Sequence, residues 1–102
     1  MDDSTTASVA KALAHPARLH IVRLLAAQTE CRGADVFSEL PLAQSTISEH
    51  LRVLKDAGLV HSRAHGTSMV YCLVPDVLDS FATELLTVAR SAAGCGSDTR
   101  GC

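Results

Sequence analysis

The sequence predicts one small domain, mostly α-helical and carrying a single β-hairpin. Three observations point there. Apolar residues recur at helical spacing up to Ala57 and again after Pro75. After Gly58 the period changes to two, through Leu59–Arg63 and Ser68–Val74. The stretch between those runs, Ala64-His65-Gly66-Thr67, contains the glycine that a hairpin turn favours.

Each element can be justified in order. Residues 4–14 read as a first helix, with Ser4 to Thr6 as N-cap candidates and Val9, Ala10 and Leu13 as a short apolar stripe. His15-Pro16 marks a break and restart, since proline is well tolerated at a first helical position. From Ala17 to about Ala27, Leu19, Val22 and Leu25-Ala26 share one side, supported by Ile21 and Leu24. A loop over 28–33 leads to a short helix at Ala34–Leu40, and Pro41-Leu42-Ala43 turns tightly into the next helix. There Ile47, Leu51, Leu54 and Ala57 form a buried stripe, and Gly58 supplies a left-handed stop. Pro75 or Asp76 begins a last helix, with Val77, Phe81, Leu85 and Val88 in register and Leu78 and Leu86 widening the stripe.

A helix-turn-helix followed at once by a two-stranded hairpin is a winged helix. The domain is expected to span 1–90, with 91–102 as a flexible, small, glycine-rich tail carrying cysteines. A chain of 102 residues has length for one core and leaves much surface uncovered, which favours dimerisation.

The outer face of the helix at 43–57 carries the chemistry. Gln44, Ser45, Thr46, Ser48, Glu49, His50 and Arg52 are hydrogen-bonding side chains concentrated in its first two turns, where a major-groove helix reaches base edges and phosphates. Arg63 and His65 sit near the hairpin tip, placed for a neighbouring phosphate backbone or minor groove. The net charge of −2 opposes nucleic-acid binding weakly, but residues 44–67 sum to +1 and hold His50, His61 and His65. The expected affinity is moderate and salt-dependent. A protein-binding winged module that never touches DNA is the reading that the acidic balance favours.

No apolar run approaches the roughly 20 residues that cross a bilayer, and the acidic, polar N-terminus is unlike a secretory signal, so a cytoplasmic location is expected. An enzyme is not expected: no nucleophile–base pair, phosphate-cradling glycine loop or carboxylate pair stands at usable spacing.

Ala12-Leu13-Ala14-His15-Pro16-Ala17-Arg18-Leu19 resembles the segment joining the first two helices of ArsR/SmtB repressors. Gln44 to Leu54 followed by Ala57-Gly58-Leu59-Val60 is similar to that family's recognition helix, and Gly66 with Tyr71-Cys72-Leu73 to its wing. The likeness runs collinearly over about residues 7–90. It implies a homodimer built on the first and last helices, binding double-stranded operator DNA and released by an inducer. Pro41 and Ala43 depart from the family's usual glycine and capping serine, and Thr67 from its common wing arginine.

The inducer must be sought in the four cysteines. Residues 76–90 hold no histidine, which excludes the family's zinc site on the last helix, and 34–40 hold no cysteine, which excludes the frequent arsenical Cys-x-Cys site. Cys31, Cys95 and Cys102 remain, and soft thiophilic ions favour thiolate sets. The expected site joins these three thiolates around trivalent arsenic or antimony, As(III) or Sb(III). No organic cofactor is expected, and Cys72, on a strand beside the wing, is read as a bystander. Alternatives are a thiol redox or persulfide sensor using Cys31 and Cys95, and a sensor of a soft divalent metal such as cadmium or lead.

Overall fold

A computed structural model describes residues 1–28, 31 and 38–92. Its elements are α1 (Asp3–Leu13), α2 (Pro16–Ala26), α3 (Gln44–Asp56), β1 (Val60–His65), β2 (Ser68–Leu73) and α4 (Pro75–Arg90). The helix expected at 34–40 lies outside the described residues except for Ser38 to Leu40, as does the tail beyond Ala92. Among the described residues no helix is long and apolar enough to cross a membrane.

Helix α1 starts before the serine and threonines expected to cap it. Asp2 is the cap, and its carboxylate accepts the Thr5 amide at 2.7 Å. Asp wins because an ionised oxygen satisfies an orphan N–H more strongly than a hydroxyl does. Val9 is buried and Leu13 packs against the core as expected, but Ala12 rather than Ala10 is the buried residue between them.

Pro16 takes the first position of α2, and His15 caps it by accepting the Ala17 amide on Nδ1 at 3.0 Å. The buried side of α2 centres on Ile21, Val22 and Leu25, while Leu19 and Ala26 stay exposed. The expected stripe was therefore rotated by part of a turn. Ile21 supplies the inward side chain that Leu19 was expected to provide.

Helix α3 buries Ile47, Leu51 and Leu54, and its N-cap Ala43 offers no side-chain hydrogen bond. It ends in a Schellman motif. Gly58 N–H donates to Lys55 O at 2.9 Å and Leu59 N–H to Leu54 O at 3.0 Å. Gly58 takes φ +82°, the left-handed region that a side chain resists. The motif delivers Leu59 and Val60 straight into the core, where both are buried.

The hairpin is tighter than the alternation suggested. Strands β1 and β2 pair antiparallel from Val60↔Leu73 to His65↔Ser68, so only Gly66 and Thr67 form the turn. Gly66 has φ +65° and no other hairpin residue has positive φ, the pattern of a type II′ turn with glycine first. Ala64 and His65 thus belong to the strand. The result is a winged helix-turn-helix domain whose core joins α1, α2, α3 and the base of the wing.

Helix α4 buries no residue completely. Val77, Leu78 and Phe81 are half-buried against the core, while Leu85, Leu86 and Val88 stand 51%, 48% and 68% exposed. An apolar stripe therefore continues past the point where the domain can cover it.

Candidate nucleic-acid interface

The polar row expected to read DNA is present as a surface. Gln44, Ser45, Thr46, Ser48, Glu49 and Arg52 on α3 are exposed, as are Arg63 and His65 on β1. The same apolar stripe that seats α3 on the core forces these side chains outward. Between α3 and the hairpin lies a groove of about 240 Å³, lined in part by Ser48, Arg52, Lys55, Ser62 and Met69. Helix and wing thus flank one groove, with Leu51 and Tyr71 at its floor and polar side chains along its sides.

Arg52 is not a free cation there. Its Nε donates to both Glu49 oxygens, at 3.1 and 3.0 Å, and a terminal nitrogen also pairs with Glu49. The other terminal nitrogen reaches Asp56 at 2.7 Å. The hydrogen bonds from Arg52 hold the Glu49 carboxyl below its usual range, and Glu49 raises the guanidinium in return. The strongest cation of the face is thus held between two carboxylates in the unbound protein.

His50 is half-buried and turned toward α2 rather than fully outward. Its Nδ1 lies 3.2 Å from an Arg18 terminal nitrogen, and its ring sits 4.5 Å from the His15 ring. Burial lowers its pKa first, and the neighbouring His15 and Arg18 lower it further. With Arg18 always charged, Nδ1 must accept, so the imidazole is neutral. Arg18 also donates from Nε to Ala12 O at 2.6 Å, and from its other terminal nitrogen to Lys11 O at 3.5 Å. One guanidinium therefore ties the end of α1, the start of α2 and the second turn of α3.

The cysteines divide differently from the sequence reading. Cys31 is joined by a disulfide to Cys72, with Cα atoms 4.6 Å apart. Cys72, read as a bystander, is the partner of Cys31, because β2 runs back beside the end of α2. Cys95 and Cys102 lie outside the described residues. Among the described residues no group of three or more His, Cys, Asp or Glu could hold a metal ion.

The family described as bacterial regulatory protein, arsR family, matches residues 15–62. An uncharacterized HTH-type transcriptional regulator of Mycobacterium tuberculosis is 41% identical over 81 residues, covering 78% of this chain and 67% of the relative. The chain belongs to the ArsR family. Further similarity extends to the arsenical resistance operon repressor of Staphylococcus xylosus, 32% identical over 88 residues, with 86% of this chain and 84% of that one covered. The homodimeric winged helix-turn-helix DNA-binding domain from Mycobacterium bovis, solved in solution, is 30% identical with a TM-score of 0.68. That match covers 89% of this chain and 90% of its own. The chain is thus a transcriptional regulator of ArsR type.

Two residues escaped the sequence reading. Arg18 stands in the His15-Pro16-Ala17-Arg18 segment that carried the family resemblance. Its signal was an arginine one turn into a mostly apolar helix, where a charge needs partners. Cys72 had no local signal, because its partner lies 41 positions away in sequence.

Proposed function

We propose that this ArsR-family regulator is a homodimeric repressor that binds double-stranded operator DNA and lets go when a thiophilic metalloid engages its cysteines. The observation that carries DNA binding is the outward row from Gln44 to Arg52 on α3, set beside Arg63 and His65 on the wing. Two copies of such a helix read adjacent major-groove half-sites about one turn apart. The exposed Leu85, Leu86 and Val88 on α4, close to α1, supply an apolar face for the second copy.

For the inducer, the reading is trivalent arsenic or antimony held by Cys31, Cys95 and Cys102. Its support is the chemistry of soft ions and the arsenical-resistance relative. Cys31 must be a free thiolate to serve, so the Cys31–Cys72 disulfide has to be reduced first.

The test is a gel shift with the protein's own upstream DNA, repeated at raised salt and with arsenite or antimonite added to reduced protein. Salt-sensitive, sequence-dependent binding is expected, with release by the metalloid. Absence of such binding would sink the repressor in favour of a protein-binding module. Cys31→Ser, Cys95→Ser and Cys102→Ser should each abolish release while binding the operator as tightly as the reduced wild type. Unchanged release in any one of them overturns the three-thiolate set.

A further inference from the structure

We infer that Cys31 and Cys72 form a thiol–disulfide exchange site whose closure tightens the grip of the domain on DNA. The inference rests on the DNA-binding reading above but not on the metalloid.

The geometry has three parts. The sulfurs come from distant segments, the connection after α2 and strand β2, and are already bonded, so closure needs no rearrangement of the core. Their accessibility differs. Cys31 is half-buried, whereas Cys72 is buried at 8% exposure. A cavity of about 350 Å³ opens beside both, lined by Leu25, Ala26, Gln28, Tyr71, Leu73 and Pro75 as well. A small organic thiol or disulfide can therefore approach Cys31, while Cys72 acts only on what Cys31 has captured.

The co-reactant is a low-molecular-weight disulfide, and the exchange balances. The Cys31 thiolate attacks one sulfur of that disulfide, forms a mixed disulfide and expels one thiolate. The Cys72 thiolate then attacks Cys31 Sγ, expels the second thiolate and closes the Cys31–Cys72 bond. Two cysteine thiols are oxidised by two electrons, one external disulfide is reduced to two thiols, and two protons leave the cysteines for the departing thiolates. Reduction reverses each step, with the external thiolate entering at Cys31.

The ring that the bond closes contains all of α3 and β1, the two elements that carry the reading face. Closing it fixes Cys31, which precedes α3 in the chain, against the second wing strand. Recognition helix and wing are then held in one arrangement before DNA arrives, so less ordering accompanies binding. Opening the ring frees that relation and weakens binding.

The experiment uses the full chain with Cys95→Ser and Cys102→Ser, so that the tail cannot supply a thiol. It is equilibrated in glutathione buffers of graded ratio, followed by mass and peptide mapping, and titrated with the protein's own upstream DNA. The expected result is loss of two hydrogens with Cys31 and Cys72 joined, and about ten-fold weaker operator binding after reduction. Adding Cys72→Ser should stop the exchange at a glutathione adduct on Cys31, and adding Cys31→Ser should leave Cys72 unmodified. Adduct formation at Cys72, no closure in oxidised glutathione, or equal affinity of open and closed forms would each overturn the switch. No binding by either form would overturn the DNA reading and the switch with it.

Discussion

The terminal nitrogen of Arg18 meets Nδ1 of His50 at 3.2 Å, joining the first turn of α2 to the middle of the reading helix. An acceptor nitrogen facing a permanent cation cannot take a proton without losing that bond. Burial, His15 and Arg18 all depress the pKa of His50, so the folded protein binds a proton there less readily than the unfolded chain. The stability this contributes is present above the ordinary histidine value of 6.5 and is lost as pH falls through that value toward the lower folded one. His50→Asn keeps a short acceptor and cannot titrate. Melting temperatures measured between pH 7 and 5 should fall less steeply for this variant than for the wild type. Parallel slopes would mean that His50 does not carry the acid limb.

Arg18 supports the same junction from the other side. Its bonds reach Ala12 O and Lys11 O at the end of α1, and Lys11 O also accepts the Ala14 amide at 3.2 Å. Arg18→Ala removes these bonds together with the contact to His50. Urea unfolding should show a loss of about 2 kcal/mol, the range for hydrogen bonds to a charged group. Arg18→Lys should recover only part, because one ammonium cannot span three acceptors in the fork geometry of a guanidinium. A midpoint unchanged in Arg18→Ala would place the strength of the junction elsewhere.

The fold was largely legible because its stripes are local. Ile47, Leu51 and Leu54 lie within one helix, Gly58 announces its own stop, and Pro16 its own start. What escaped depended on contacts across the chain. Ala12 took the buried place expected of Ala10 beside Val9, and Leu19 yielded to Ile21 on packing against α3 and β2. The polar row on α3 could be read from periodicity. That Arg52 would be held by Glu49 and Asp56, or His50 drawn toward Arg18, required rotamers and neighbours that no spacing encodes. The Cys31–Cys72 pairing belongs to the same class, since it depends on β2 returning beside α2.

The exposed end of α4 bears on assembly. Leu85 and Val88 contribute little to the core of one chain, so charging them should leave the isolated fold intact. Leu85→Glu with Val88→Glu should sediment as a monomer with unchanged helical content. Operator affinity should fall by about two orders of magnitude, because two linked half-site contacts become one. A dimer that survives both substitutions would move the interface away from this stripe.

Glu49 holds a cation that the DNA backbone could otherwise use. Its two oxygens occupy Nε and one terminal nitrogen of Arg52, leaving only the Asp56 contact on the far side. Both side chains are exposed, so Glu49→Gln should alter stability little. It removes one negative charge from the reading face and loosens the guanidinium. Affinity for unrelated DNA should rise several-fold, and the dependence of log affinity on log salt should steepen by about one phosphate contact. Operator and unrelated DNA should gain together, narrowing the specificity ratio. The alternative role for this carboxylate is to accept from a cytosine amino group. In that case Glu49→Gln weakens the operator alone and leaves the salt slope as it was. Titrations on both DNAs at three salt concentrations separate the two roles, and the second outcome would show that Glu49 reads a base rather than restraining Arg52.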